Sequence, residues 1–202
     1  MKILITGFEP FAREPVNPAT EAVERMQAPE GVELIKMPEL PTMYGIHELV
    51  ISWIRKHKPQ AVLCVGQAGG RRAVTVERIA INAEDCSLED NAGFVHQDEE
   101  GIPGGPAAFF ATLPVKKIVS GIRAAGIPAE LSNTAGTFVC NSLFYHVLAF
   151  CQSEAPEIQV GFIHLPFLPS QTESRPGYPS MALADMVTAL EAAVQVLADA
   201  GT

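Results

Sequence analysis

The sequence predicts an α/β protein: a three-layer α/β/α sandwich around a mostly parallel, twisted central sheet. Three observations point there. Strand-like and helix-like segments alternate along the chain, in repeated βα units. The interior strand Ala61-Val-Leu-Cys-Val65 is continuously apolar, as a strand covered on both faces must be. At 202 residues, with no internal repeat, low-complexity stretch or linker, the chain reads as one domain over 1–202 with a core large enough to need no staples.

Taken in order, Lys2–Thr6 is a short apolar strand, followed by a turn-rich stretch from Gly7 to Val16. Asn17-Pro18 sets a capping side chain before a proline at the first helical position, opening a helix to about Gln27. Val32–Met37 is the second strand. Thr42 is a candidate cap for a helix to about Lys58, with Ile46, Leu49, Val50 and Trp53 on one face, and Pro59 stops it. After the Ala61–Val65 strand comes a strand from Thr75 to Asn82, then a loop region from Glu84 to Pro106. That loop is longer than a compact domain needs for a connection, which marks it for function or subunit contacts. Pro114 opens a helix to about Ala125, ended by Gly126 and Pro128. A strand at Ala129–Ser132, a helix from about Thr137 to Gln152, a strand at Gln159–Ile163 and a helix capped by Ser180 and running to about Ala198 complete the chain.

Composition excludes several classes. Fourteen basic against 23 acidic residues leave a net charge of −9, and the adjacent basic pairs Arg55-Lys56, Arg71-Arg72 and Lys116-Lys117 fall far short of a basic tract, so the sequence carries no nucleic-acid footprint. Hydrophobic residues make up 48% of the chain, but no run approaches the ~18 residues that would span a membrane. The apolar start is too short for a signal peptide. Four cysteines (64, 86, 140 and 151) without CxxC spacing suit reduced thiols in a cytoplasmic protein. The glycine-rich pieces Gly66-Gln-Ala-Gly-Gly70 and Gly101-Ile-Pro-Gly-Gly105 match neither a P-loop nor GxGxxG, and read as loop geometry.

The chemically informative stretch is Ser132-Asn-Thr-Ala-Gly-Thr-Phe-Val-Cys140-Asn141, which leads from a strand through a small-residue turn into an apolar helical pattern. A cysteine delivered to a helix N-terminus sits among unpaired N–H groups, where the macrodipole favours an anion. The expectation is a thiol pKa lowered toward neutrality, with the same N–H groups able to hold an oxyanion. The bland reading is that Cys140 is one more small buried hydrophobe.

Two further residues belong with it. Ligands of such sheets sit at the carboxyl ends of the strands, and His164 directly follows the strand Val160-Gly-Phe-Ile163. Glu77 lies among apolar residues in Val74-Thr-Val-Glu-Arg-Ile-Ala-Ile-Asn82, where an unpartnered carboxylate would be costly. Cysteine, histidine and acid are the parts of an activated thiol nucleophile. Glu77 beside Arg78 also suits a structural ion pair. On spacing alone the triad is one selection among four cysteines, five histidines and many acids.

Several blocks resemble the pyroglutamyl peptidase I (pyrrolidone carboxyl peptidase) family nearly end to end: Ile5-Thr-Gly-Phe-Glu-Pro-Phe11, Val16-Asn-Pro18, Leu40-Pro-Thr42, Cys64-Val-Gly-Gln-Ala-Gly-Gly-Arg71, Val76-Glu-Arg-Ile-Ala-Ile-Asn82, Asp90-Asn91, Gly105-Pro-Ala107, Ser132–Asn141 and Phe162-Ile-His-Leu-Pro166. The resemblance implies a cysteine exopeptidase that removes N-terminal pyroglutamyl residues from peptides. Its catalytic triad falls on Glu77, Cys140 and His164. The implied substrate pocket is an apolar slot of Phe8, Phe11, Phe138 and Val139, with Asn17 and Gln67 as polar contacts, since a neutral lactam has no ammonium to hold. Core packing is the competing role for Phe8 and Phe11. The oxyanion would be held by backbone N–H groups, with Arg78 as a further candidate. No metal or cofactor is implied, and a homotetramer is.

Two segments depart from the family pattern or fall outside it: Ala12-Arg13, where Gly-Gly is common, and the proline-rich Glu173–Pro179. Two other readings share the thiol chemistry. A redox or stress-sensing α/β protein would need the reactive cysteine but not the lactam pocket. A glutamine-amidotransferase-type hydrolase usually orders its residues differently, whereas here the acid comes first.

Overall fold

The computed structural model describes residues 1–200; the last two residues of the expected 1–202 domain lie outside the described residues. In chain order the elements are β1 (Lys2–Thr6), α1 (Pro18–Arg25), β2 (Glu33–Lys36), α2 (His47–His57), β3 (Ala61–Gln67), β4 (Val74–Glu77) and β5 (Ile79–Ile81). There follow β6 (Ala108–Phe110), α3 (Val115–Ala124), β7 (Ala129–Ser132), α4 (Val139–Glu154), β8 (Gln159–Leu165), the single turn α5 (Pro169–Thr172) and α6 (Leu183–Ala200).

Six strands form the central sheet in the order β2-β1-β3-β8-β4-β7. Pairings β1/β2, β1/β3, β3/β8 and β4/β7 are parallel, and β8/β4 alone is antiparallel. The sheet is thus two parallel blocks joined at one reversed junction.

Period-two alternation sorts the strand side chains into two apolar layers. Ile3, Ile5, Leu63, Val65, Val74, Val76, Ile163 and Leu165 face one way and pack with the buried stripes of α1, α3 and α6. Leu4, Val62, Cys64, Val160 and Phe162 face the other way, against α2 and α4. The expected three layers follow directly from that partition. On α4, Leu143, Val147 and Cys151 recur every fourth residue, with Phe144 and Leu148 beside them, and all five are buried.

Several boundaries differ from expectation, each for a local reason. The expected strand from Thr75 to Asn82 divides at Arg78. Its partner β7 ends at Ser132, whose carbonyl accepts from Arg78 N at 2.9 Å; the Arg78 carbonyl then accepts from Ala111 N at 2.9 Å. Having lost its ladder, the chain leaves the main sheet, and β5 pairs instead with β6 in a two-stranded antiparallel ribbon. Thr42 caps no helix: its N–H donates to Glu9 Oε1 and its hydroxyl to the Glu9 carbonyl, both at 3.0 Å, and α2 starts five residues later. Ser180 is no cap either; it bridges to Phe167 before α6 begins at Leu183. α1 stops at Arg25, because Met26 is already extended. β8 continues through Leu165, so His164 lies within the strand rather than after it.

The long loop from Glu84 to Pro106 is pinned across the carboxyl-end loops. Asp90 accepts from Tyr44 N at 3.0 Å and from Ala92 N and Phe94 N at 2.9 Å. Asn91 Nδ2 donates to Glu9 Oε1 at 2.7 Å and to the Pro10 carbonyl at 2.9 Å.

Candidate active site

The turn between β7 and α4 is shaped by small polar residues. Ser132 Oγ donates to the Thr134 carbonyl at 3.0 Å and accepts from Thr134 N at 3.3 Å; Gly136 N donates to Thr134 Oγ1 at 3.1 Å. Gly136 has φ of +80°, a conformation costly for any side chain with a Cβ. Thr137 then donates its hydroxyl to the Asp85 carbonyl, fixing the turn to the long loop. Phe138 precedes α4 in an extended conformation, and no side chain caps the helix. The N–H groups of Val139, Cys140 and Asn141 belong to the first turn, which lies beyond reach of intrahelical acceptors.

Cys140 is the second residue of α4 and keeps partial exposure. Its Sγ hangs over β3: a Cβ built on Gly66 would stand 2.9 Å from it. Gly66 is the register partner of His164 on β8, and Thr75 of β4 is paired to His164 on the other side. Thr75 and Glu77 share a face by the strand period, so Cys140, His164 and Glu77 meet on the α4 side of the sheet. His164 Nδ1 lies 2.8 Å from Glu77 Oε1, and both side chains are buried. Glu77 Oε2 is buried without a hydrogen-bond partner.

The electrostatics follow from that burial. Desolvation alone would raise the Glu77 carboxyl, but the hydrogen bond and charge of His164, with Arg71 behind them, hold it below its ordinary 4.5. Burial takes His164 below its ordinary 6.5, the carboxylate only partly opposing. A neutral imidazole with its Nδ1–H on Glu77 leaves Nε2 as a lone-pair acceptor. The expected low thiol pKa is not met in the resting site. Burial pushes the Cys140 thiol up to about 12, and the Glu77 charge adds to this, outweighing the favourable charge of Arg71.

Glu77 does pair with an arginine, but with Arg71 rather than the expected Arg78. On the unbroken strand expected from the sequence, neighbours would point to opposite faces, which already disfavours a Glu77–Arg78 pair.

The suggested pocket residues separate into three groups. Phe11 and Phe138 are half-buried and face each other with ring centroids 5.9 Å apart. Tyr44, unforeseen, completes this group edge-on to Phe138 at 5.8 Å. Phe8 and Val139, at 1% and 0% exposure, belong to the apolar layer beneath, so a ligand would meet them only as the floor of a slot. Asn17 is committed within the fold: Oδ1 caps Ala19 N at 3.0 Å and Nδ2 donates to the Glu9 carbonyl at 3.1 Å. It therefore shapes the Gly7–Phe11 loop rather than presenting an amide to a ligand. Gln67 ends β3 with its Oε1 accepting from Gln171 Nε2 at 2.8 Å.

Asn141 was also unforeseen as a structural partner of the nucleophile's turn. Its Oδ1 accepts from Ile81 N at 3.0 Å, and its Nδ2 donates to the carbonyls of Ile81 and Ala83 at 2.9 and 3.0 Å. Among the described residues, no group of three or more His, Cys, Asp or Glu is placed to hold a metal ion. No described helix is long and apolar enough to cross a membrane.

A thiol at a helix N-terminus and a buried histidine–carboxylate pair on the same face of an α/β/α sandwich are the parts that a thiol hydrolase uses. Comparison with known proteins narrows the class. The model of the pyroglutamyl peptidase family matches residues 1–200. A pyrrolidone-carboxylate peptidase of Levilactobacillus brevis is 49% identical over 198 residues, 98% of this chain and 97% of its own length. One from a Thermoanaerobacter species is 48% identical over 200 residues, covering 98% of both chains. Among solved structures, pyroglutamyl peptidase I of Bacillus amyloliquefaciens superposes with a TM-score of 0.93 at 41% identity, covering 98% of this chain and 97% of that one. A mutant pyrrolidone carboxyl peptidase from Pyrococcus furiosus gives a TM-score of 0.93 at 35% identity, covering 99% of both chains. The chain belongs to the pyroglutamyl peptidase family. It is a cysteine-peptidase-type hydrolase.

Proposed function

We propose that this peptidase hydrolyses the amide bond following an N-terminal pyroglutamyl residue, with Cys140 as nucleophile, His164 as general base and acid, and Glu77 as orienting carboxylate. The 2.8 Å His164–Glu77 contact, buried on the face over which the Cys140 thiol hangs, carries this reading. A thiol held near 12 is protonated at rest, so attack and proton transfer to His164 Nε2 are coupled rather than preceded by a stable thiolate. Sγ attacks the pyroglutamyl carbonyl carbon, and the oxygen takes the negative charge toward the first-turn N–H groups of α4. The tetrahedral intermediate collapses as His164 gives its proton to the leaving amine, forming a thioester. His164 then accepts a proton from water, whose oxygen attacks the thioester; pyroglutamate departs and Sγ regains a proton.

The lactam ring suits the half-open slot between Phe11, Phe138 and Tyr44, with Phe8 and Val139 as its apolar floor. Selection for a neutral ring requires no carboxylate to receive an ammonium, and a site that hydrogen-bonds the lactam rejects analogues lacking it. Gln67, at the carboxyl end of β3, is the polar side chain retained for that contact, and Asn17 is not.

A fluorogenic pyroglutamyl amide tests the reading. The wild type turns it over, and Cys140→Ser and His164→Ala each lose at least about 10³-fold in kcat. No turnover by folded protein would remove the peptidase reading and favour a thiol that acts in redox sensing. We further propose, on family resemblance, a single-domain cytoplasmic enzyme assembled as a homotetramer; a light-scattering mass of one chain would overturn the assembly.

A further inference from the structure

We propose that Arg71 is a positioning residue of this reaction: its guanidinium orients the Glu77 carboxylate toward His164 and ties the Cys140-bearing turn to that same carboxylate. The inference rests on the hydrolytic reading above and assigns a part to a residue outside the triad.

Arg71 follows β3 through the tight turn Ala68-Gly69-Gly70, in which Gly70 adopts φ of +87° and Arg71 N donates to the Ala68 carbonyl at 3.4 Å. There is no room in this turn for a bulkier residue at Gly69, whose Cβ would stand 2.1 Å from the Phe167 ring. The turn returns the arginine side chain over the edge of β4. There Nη1 donates to Glu77 Oε1 and Thr75 Oγ1, and Nη2 donates to the Thr134 carbonyl at 3.1 Å. On β4, Thr75 is the register partner of His164 and Glu77 lies two residues further on, and Thr134 lies in the turn that leads to Cys140. One planar group therefore bridges the acid and the segment that delivers the nucleophile.

The carboxylate geometry makes this bridge consequential. Both donors, Arg71 and His164, converge on Oε1, while Oε2 is buried with no partner. With Ser132 as a further neighbour that favours the charged form, the two close donors on Oε1 are the main restraint on the carboxylate plane. A carboxylate with 0% side-chain exposure facing only a neutral imidazole would also be an uncompensated buried charge. Lysine supplies a point charge but not the planar fork that reaches Glu77 and Thr134 together.

A structural ion pair alone would affect folding and leave the titration of the site unchanged. The positioning role affects both rate and pH profile. The Arg71 charge opposes protonation of His164 and favours the Cys140 thiolate. Removing it makes His164 easier to protonate, so the acid limb of kcat/KM, which requires neutral His164, moves to higher pH.

The experiment compares wild type, Arg71→Gln and Arg71→Lys for pyroglutamyl-amide turnover and for Cys140 alkylation by iodoacetamide, each across pH. For Arg71→Gln we expect kcat to fall at least about tenfold with KM little changed, and the acid limb to rise by about one unit. Arg71→Lys should keep the wild-type limb with kcat between the two. A folded Arg71→Gln whose limb coincides with the wild type overturns the proposal, as does an Arg71→Lys with undiminished kcat. If Arg71→Gln does not fold, Arg71→Lys decides by itself: lowered kcat on an unmoved limb supports the role, and a moved limb overturns it. Alkylation reads His164 without turnover. A shifted alkylation profile in protein that never cleaves the pyroglutamyl amide would keep the Arg71 contact to the thiol–imidazole pair and remove the substrate reading alone.

Discussion

At the scale of single residues, the proposed site depends on a hydrogen atom as much as on Cys140, His164 and Glu77. Gly66 is the one position of β3 over which Sγ of Cys140 can settle, because a Cβ there would meet Sγ at 2.9 Å and the Phe162 ring at 3.0 Å. Phe162 is fully buried and its ring lies 4.6 Å from that of His164, so it cannot yield without disturbing that imidazole. Gly66→Ala should therefore displace the thiol and lower kcat by about 10²-fold, since misplacement by about 1 Å has that effect. Its far-ultraviolet circular dichroism should stay native. An alanine variant with wild-type kcat would refute the close approach. The glycine was visible in the Gly66–Gly70 stretch, but only as loop material, because nothing in a linear sequence says that a helix from more than 70 residues later descends on it. Arg71 was hidden for a related reason. A buried Glu77 calls for a cation, and adjacent Arg78 was the candidate in view. The parity rule for strands already argued against Arg78, and was the available signal.

At the scale of elements, α4 and β5 form one unit through Asn141. This side chain, 1% exposed, satisfies the Ile81 N–H and the Ile81 and Ala83 carbonyls where β5 has left the main sheet. Asn141→Ala should destabilise the protein by about 3 kcal/mol, mostly by leaving those backbone groups unpaired. It should lower turnover as well, because Asn141 adjoins the proposed nucleophile Cys140; urea denaturation and pyroglutamyl-amide assays read the two effects. A loss below ~1 kcal/mol would mean that water replaces the side chain. Strand and helix existence was legible from apolar runs, Asn17-Pro18 and the Gly126/Pro128 stop. The break at Arg78 was not, since Val74–Asn82 looks equally strand-like throughout and only the end of its partner at Ser132 divides it. Caps were misread at Thr42 and Ser180 because hydroxyls serve loops and helix starts alike.

For the molecule as a whole, the buried histidines and Glu77 act in one direction as pH falls below neutral. His47 on α2 stacks on His146 of α4 at 3.8 Å, its Nδ1 buried and unpartnered, and burial with the neighbouring ring takes it down to about 4. A histidine depressed in the folded state binds its proton more readily when unfolded, so its stabilisation is full above 6.5 and declines as pH falls toward the folded value. His164 acts likewise, and Glu77 adds a loss once pH falls below 4.5 toward its lower folded value. Urea midpoints should therefore fall steadily from neutral pH to about pH 4.5, with His47 contributing about 3 kcal/mol over its full window. His47→Phe, which keeps the stacking and removes the titration, should flatten that slope; an identical slope would exclude His47 as its source. The sandwich itself was legible from the alternation of elements and the doubly covered strand β3. The reversal between β8 and β4 was not, because strand direction depends on where each connection lands.

That reversal has a consequence for how the chain becomes an enzyme. His164 belongs to the block β2-β1-β3-β8, whereas Glu77 belongs to β4-β7, and the two blocks touch only along the β8/β4 seam. On the proposed mechanism neither half holds a working base by itself: one carries an imidazole without its anchor, the other an anion without its ring. Zipping that seam, a pairing of residues more than 80 positions apart, is thus the step at which a folded scaffold first acquires chemistry.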